Sequence, residues 1–324
     1  MVSMLDLHRK KAENCVRCRN SEERKAHQDA DGYCQLVDPS DHVGVRCVGE
    51  WGADKVAFIS TYMDITGVAL QYKVRNYYYI EICSGPGLCV DYKSGEEFIG
   101  TALASMLTEG AIYYTKLFFF DLNPVTVKSL RQRIDASPDI PDDVKKKTIV
   151  SVGDYTDTAS IIKVLDYHIP IHKRGLNVVV VDPTDMSVPF EIYAAMIDFG
   201  READFIINFA DGTDLRRNIR IAFENPDSPG YRKYRRVLES LDFFNDPKNI
   251  EHAQNNDYRY LADNFEKMFI QSFRSRGYQH ILEKRIMSYY KLLFFSKDKL
   301  GEKFWRAALK RSAAEREYGQ PVLF

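Results

Sequence analysis

The stretch Glu81-Ile-Cys-Ser84-Gly85-Pro-Gly87 sets an acid at the end of an apolar run, followed at once by a glycine-rich turn that is expected to lead into a helix. Glycines in such a turn permit positive φ and let the backbone come close to a ligand. The turn lacks the full G-x-G-x-x-G that a dinucleotide site uses, whose third glycine allows close helix packing. A loop of this shape with an acid just ahead of it suits S-adenosylmethionine (SAM), whose charged amino-acid end needs hydrogen-bond acceptors. Three further acids close apolar runs. Asp121 ends Phe118-Phe-Phe-Asp, where a carboxylate can hold both hydroxyls of a ribose. Asp154 follows in Val152-Gly-Asp, where an adenine amino group is expected, and Asp182 opens Asp182-Pro183-Thr184-Asp185. Each acid taken alone reads as a helix N-cap. Four successive strand ends on one sheet edge, each with an acid or a glycine turn, read together as a nucleotide-like cofactor site.

Four of the six cysteines fall within the first 47 residues, as C-x2-C-x15-C-x12-C at Cys15, Cys18, Cys34 and Cys47. A CxxC knuckle with two further thiols satisfies a tetrahedral structural Zn2+ site. His27 and His42 are substitute ligands if Cys47 belongs to the following helix, and free thiols or an iron–sulfur cluster are the competing readings. Cys83 and Cys89 flank the glycine turn and read as small packing residues. Methyl transfer from a sulfonium is an in-line displacement that positioning can drive, and a poorly acidic hydroxyl acceptor also needs a general base. Asp182, Asp185 and Asp211 are the nearest candidates. Asp211-Gly-Thr-Asp214 is equally a turn that caps the next helix. Arg216 and Arg217 suit either a substrate phosphate or pairing with those aspartates.

The elements that must position these residues alternate. Tyr77–Cys83, Leu117–Phe120, Thr148–Val152, Leu176–Val181 and Phe205–Phe209 are short β-branched or aromatic runs. Helical spacing marks Trp51–Leu70, Phe98–Leu107, Pro124–Ile134, Ala159–Leu165 and Phe190–Phe199. Strands alternating with helices predict βαβ units and a mainly parallel sheet, covered on both faces. Residues 1–47, polar and without a sustained period, read as an appended arm, and 48–324 as one α/β domain. Residues of about 212–264 read as a helical insertion over the sheet's C-terminal edge, where ligands bind in such folds. A helix around Phe265–Arg276, an antiparallel pair Gln279–Met287 and Tyr289–Ser296, and a helix from about Glu302 complete the chain.

Lys and Arg number 45 against 46 Asp and Glu, and this near balance conceals an uneven distribution. Arg274–Arg311 holds eleven basic residues against three acidic, and Asp214–Arg236 seven against three. Such asymmetry suits a face for nucleic acid or a set of solvated helices. Tyr231-Arg-Lys-Tyr-Arg-Arg236 likewise mixes stacking and charge as single-strand binders do, and also fits an amphipathic helix. A hydrophobic content of 45% excludes wholesale disorder. The absence of a long apolar run excludes a membrane span, and the opening residues carry no secretory h-region, so a cytoplasmic location is expected.

The series EICSGPG, FFFDLNP, VGDYTD, VVVVDPTDMSVPF, FIINFADGTDLRRN and YYKLLFFSKDKLGEKFW, in that order from about Cys47 to Arg306, resembles the three-Cys-motif partner protein family (TcmP). The helix start Val48-Gly-Glu-Trp51-Gly-Ala-Asp-Lys55 is similar to the family's too. The family is named for a neighbouring three-cysteine protein, so its name says nothing of the cysteines here. The resemblance implies a class I methyltransferase-like, Rossmann-like fold: a seven-stranded sheet whose last strand is reversed. By position it implies that Glu81 (commonly Asp in the family), Ser84, Gly85 and Gly87 surround the methionine end of SAM. Asp121 would take the ribose and Asp154 the adenine. Asp182 and Pro183 would stand where amino-methyltransferases hold a target nitrogen. Thr184 and Asp185 replace the proline and aromatic usual there, which removes the ring that stacks a flat base. Three readings follow: SAM-dependent methyl transfer to nucleic acid, a non-catalytic SAM-fold protein acting with a partner such as a three-Cys-motif protein, and hydrolysis assisted by a metal among Asp182, Asp185 and Asp211.

Overall fold

The computed structural model describes residues 10–49 and 51–318. Residues 1–9 of the arm, Glu50 in the helix-start motif and residues 319–324 lie outside the described residues. The chain divides at Gly153 and Glu302 into two compact units, 10–153 with 303–318, and 154–302.

In the first unit the strands are β1 (Lys10–Lys11), β2 (Arg46–Val48), β3 (Tyr77–Ile82), β4 (Leu88–Asp91), β5 (Glu96–Ile99), β6 (Lys116–Asp121) and β7 (Thr148–Val152). β3, β6 and β7 pair in parallel, Ile82 opposite Phe120 and Asp121 opposite Val152. β3 is buried throughout, and so is β6 beyond its first residue, as strands covered on both faces must be. The helix Trp51–Leu70 and the last helix, Lys299–Tyr318, meet through the edge-on pair Tyr62–Trp305, both buried. The helix Pro124–Ala136 starts with proline in its first turn, and the Asn123 side chain accepts from Val125 N–H. Both signals stop the chain from extending β6.

A second, four-stranded sheet in the order β1-β5-β4-β2 was not expected from the sequence. Residues 98–107 are not one helix. Phe98 and Ile99 end β5, and a short helix covers Thr101–Met106. The glycine turn accordingly feeds β4, not a helix. The hairpin forms because Asp91 caps its turn, its side chain accepting from Lys93 N–H and its carbonyl from Gly95 N–H, with Gly95 at φ +75°. The arm also has regular structure where no periodicity announced it: β1 pairs with β5, β2 pairs with β4, and Asn20 caps a helix over Ser21–Ala26. Strands of two and three residues are too short to show a period.

In the second unit the strands are β8 (Leu176–Val181), β9 (Glu202–Phe209), β10 (His280–Ile286) and β11 (Tyr290–Ser296). β8 and β9 are parallel, whereas β11 runs antiparallel to both β9 and β10. Helices fill the stretch after β9, at Arg216–Glu224, Pro229–Leu238, Asp242–Asn245 and Pro247–Gln254. The next begins at Tyr258, capped by Asp257, and runs unbroken to Arg274, so the anticipated boundary near 264 falls inside it. Phe190, Tyr193, Phe205, Phe269, Phe273 and Phe295 form an aromatic core, with Phe273 stacked on Phe295 at 4.0 Å.

The strands order as β10-β11-β9-β8-β3-β6-β7 in one seven-stranded sheet. This is an α/β, Rossmann-like, class I methyltransferase-like architecture in which β11, the last strand of the chain, is reversed. No helix among the described residues is long and apolar enough to cross a membrane.

Candidate functional site

Glu81, the penultimate residue of β3, is fully buried, and its Oε2 accepts from Tyr79 Oη at 2.9 Å. Tyr79 Oη accepts in turn from Ser105 Oγ at 3.2 Å. Burial, with the Glu81 carboxylate second, pushes the Tyr79 phenol well above its ordinary range, so it stays a donor to the acid. After β3 the backbone turns through three left-handed residues: Cys83 at φ +66°, Gly85 at +69° and Gly87 at +87°. A cysteine there carries a steric cost of about 1–2 kcal/mol, a strain of the kind held at ligand sites. Around Gly85 no atom lies within 4 Å of where a Cβ would stand, so the turn faces open space. Gly87 is the opposite case, its missing Cβ falling 2.9 Å from Leu130 and 3.1 Å from Leu103. Ser84 N–H donates to Phe120 O, while its buried Oγ has no hydrogen-bond partner among the described residues.

Asp121 closes β6 beside this turn. Its Oδ2 accepts from Gly85 N–H and its Oδ1 from Asn123 N–H, each at 3.0 Å. A carboxylate has about four acceptor positions, so each oxygen keeps capacity for a further donor. Ser84, Gly85, Gly87 and Asp121 thus lie together at one turn, directly after Glu81 of β3. Asp154 begins the second unit, and its Oδ1 accepts from Thr156 N–H and Oγ1, both at 2.7 Å, in a tight turn before the helix Thr158–His168.

At the end of β8 the acids are already engaged. Asn208 Nδ2, from β9, donates to Asp182 Oδ1 at 3.0 Å and to Pro183 O at 2.9 Å. Asp185 pairs with Lys233 at 3.2 Å. The same ammonium lies 2.6 Å from Asp214, whose carboxylate also accepts from Met186 N–H, Asn218 and Tyr234 Oη. Burial works to raise the Asp214 acid, but the bonds from Lys233, Met186 and Asn218 outweigh it and hold the group below its ordinary value. Burial and then Asp214 push the Tyr234 phenol up. Asp211 does not join this group through any of these contacts. It is 1% exposed and pairs with Arg285 at 2.6 Å and with Arg216 at 3.2 Å. Residues 211–215 make a π-helical turn, Leu215 N–H reaching back to Ala210 O, a local widening common at functional sites. The cavity beside Pro183, Asp185, Met186 and Asn208 measures about 10 Å³, no more than the space of a single water.

Sequence reasoning passed over Asn208, read Lys233 and Tyr234 only as part of the 231–236 stretch, and saw Asp214 only as a turn residue. The single available signal was the four-residue spacing of Asp214 and Asn218. Tyr234 is fully buried and Tyr231 packs on Phe244 at 4.6 Å, so the 231–236 segment is an amphipathic helix with its rings turned inward. Much of the basic surplus is likewise internal pairing: Arg216, Arg285, Lys291, Arg276 and Arg311 each bind a carboxylate.

In the arm, Cys18 Sγ lies 3.5 Å from His27 Nδ1. Burial, followed by the neighbouring Cys34, pushes the Cys47 thiol up, and Cys15 and Cys18 add to the effect. Cys15 Sγ lies 3.4 Å from where a Gly95 Cβ would stand. His42 instead bonds Asp38 at 2.9 Å. No group of three or more His, Cys, Asp or Glu side chains among the described residues stands in metal-holding geometry.

No protein-family model and no curated protein matches the chain. Among solved structures it is similar to the O-methyltransferase TomG from Streptomyces achromogenes, crystallised with SAM, at 13% identity over 76% of this chain and 81% of that one, with a TM-score of 0.37. Protein LPL1258 from Legionella pneumophila aligns at 10% identity, over 82% and 92%, with a TM-score of 0.44. Human methyltransferase-like protein 13, crystallised with S-adenosylhomocysteine (SAH), aligns at 9%, over 84% and 95%, with a TM-score of 0.41.

Proposed function

We propose that this protein is a SAM-dependent methyltransferase of the three-Cys-motif partner type, with nucleic acid as the acceptor class. The observation that carries the reading is the Cys83–Gly87 turn: three left-handed residues, open space at Gly85, and a buried Ser84 hydroxyl with no partner among the described residues. Such a cradle fits the polar amino-acid end of SAM, with Glu81 as acceptor for its ammonium and Asp121 for the ribose. Asp154 keeps its proposed place at the adenine. When bound, SAM supplies an electrophilic methyl group on a positive sulfur. The chain's own task is to orient the cofactor and to take the proton that an attacking N–H or O–H loses. Asp182, Pro183 and Asp185 are the proposed acceptor groups. Exposed Arg217 and Arg235 are the cations we assign to an incoming phosphate.

One observation favours the second reading, a SAM-fold protein that acts with a partner and without turnover. Asn208 already donates to both Asp182 and Pro183 O, the atoms that an acceptor amine would use. Metal-assisted hydrolysis is not carried forward, because Asp211 is matched by two arginines and Asp185 by Lys233. We assign Cys15, Cys18, Cys34 and Cys47 to structural Zn2+ on their soft-donor chemistry and C-x2-C spacing alone, and keep His27 as the alternative ligand. The division into a 1–47 arm and a 48–324 domain, and a cytoplasmic location, belong to the same proposal.

Calorimetric titration with SAH tests the cofactor, and incubation with labelled SAM and total cellular nucleic acid, then protein, tests the acceptor. Label entering nucleic acid is the expected result. Tight SAH binding with no label in either fraction would select the partner reading.

A further inference from the structure

Arg133 lies in the helix Pro124–Ala136 and is 5% exposed, yet it is neither in the sheet nor in the cofactor turn. All five of its N–H donors are used. Nε and Nη2 bind the Asp41 carboxylate at 2.6 and 3.2 Å, and Nη2 also donates to Val43 O at 2.5 Å. Nη1 donates to Gly44 O at 3.2 Å and to Pro86 O at 2.7 Å. One rigid fork therefore grips arm residues 41–44 with one side and the carbonyl between Gly85 and Gly87 with the other.

Other bonds run in parallel. Buried Glu97 of β5 accepts from Ser40 N–H at 2.8 Å and from Ser40 Oγ at 2.7 Å. Thr126 Oγ1 accepts from Tyr33 Oη and from Arg46, each at 3.1 Å, and Asn123 Nδ2 donates to Asp31 at 2.8 Å. Cys47, in β2, stands opposite Val90 of β4, the strand that leaves directly from Gly87. Gly87 O accepts from Gly100 N–H at 2.7 Å, so the two ends of the β4–β5 hairpin are joined at the turn itself. The arm is thus bonded to the turn, to the hairpin that continues it, and to the residue two after Asp121.

We infer that the cysteine-bearing arm regulates the cofactor turn, with Arg133 as the positioning residue that makes the productive conformation of Ser84–Gly87 depend on residues 41–44 being folded. The inference rests on the cofactor reading. A guanidinium is needed because no other side chain offers five donors in a fixed plane, and a lysine there keeps the charge but cannot span both sides. By linkage, whatever the folded arm contributes to cofactor affinity, bound cofactor returns to the arm.

The test measures SAH affinity by calorimetry in the wild type, Arg133→Lys, Arg133→Met and Asp41→Asn, with a thermal melt of each. It also follows alkylation of Cys18 and Cys47 with and without SAH, read by mass spectrometry. We expect SAH to bind the wild type and to slow alkylation of both thiols. In Arg133→Lys and Arg133→Met, affinity should fall tenfold or more at a temperature where they remain folded, and the protection should vanish. Asp41→Asn, which leaves the carbonyl bonds in place, should lose less and provides the reading if the Arg133 variants unfold. A purely structural role would lower melting temperatures and leave SAH affinity within threefold, and that result overturns the inference while sparing the cofactor reading. Failure of the wild type to bind SAH overturns both.

Discussion

The glycine turn after β3 and the acid cluster after β8 both follow buried strands and are both rich in polar groups, yet they are built in opposite ways. At the turn, backbone strain is held, space is left open at Gly85, and a buried hydroxyl has no partner among the described residues. Around Asp182–Asp214, acids meet cations or amides: Asn208 on Asp182, Lys233 on Asp185 and Asp214, and two arginines on Asp211. A polar group kept unmatched inside a protein costs stability and calls for a reason, whereas ion pairs and hydrogen bonds that engage each other mainly specify structure. Asn208 Oδ1, Asp211 Oδ2 and Arg216 Nε in the cluster also lack a hydrogen-bond partner among the described residues, so what sets the turn apart as the proposed receptor is its strain and open space, while the ion-paired cluster reads first of all as a scaffold.

Removing Asp214 should have the largest effect. Asp214→Ala would leave Lys233 without its closest carboxylate and should cost about 3–5 kcal/mol in denaturant unfolding. A cost below about 1 kcal/mol would mean that the cluster is no scaffold. The same acid gives a pH dependence. Its folded pKa is below the ordinary 3.8, so its contribution is complete above that value and is lost as pH falls through the lower folded one. Asp214→Asn should flatten that acid limb in a pH series of melts.

Asp121→Asn should weaken SAH binding by about 1.5–3 kcal/mol, roughly ten- to a hundredfold, because charge-assisted bonds are lost. Stability should change less than in Asp214→Ala, and the reverse ranking would remove the contrast between the two regions. Gly85→Ala forces a Cβ into the left-handed region at about 1–2 kcal/mol and into the open space, so SAH affinity should fall further than stability. Ser84→Ala is the finest probe. Stability should stay within about 0.5 kcal/mol, while SAH affinity drops by about two- to tenfold for one lost hydrogen bond. A variant that is markedly less stable with unchanged affinity would make Ser84 a packing residue.

Much of the sheet was legible in the sequence, since TIVSV and LNVVVV are runs rich in β-branched residues that match β7 and β8 in full. The residues of the glycine turn were legible as well, because an acid, a turn and a glycine pair are adjacent in the chain. The hairpin β4–β5 was not, because Phe98 falls at a spacing that a helix also satisfies. Nor was the arm's place in the second sheet, since its strands hold only two and three residues.

The sequence by itself determined which groups are present and where strands end: Glu81, the glycine turn, Asp121 and the Cys15–Cys47 set are local patterns with local causes. Only the tertiary structure decided which of them are still available to a ligand. Asp211 looked like a candidate base until Arg285, 74 residues away in the chain, was found on it, whereas Asp182 accepts from the neutral Asn208 amide and stays a proposed acceptor. Pairing of charges depends on distance in space, and a carboxylate's chemistry depends on what it already binds. The same reason applies to Arg133, one charged residue among many in the sequence, whose five bonds join the arm to the turn.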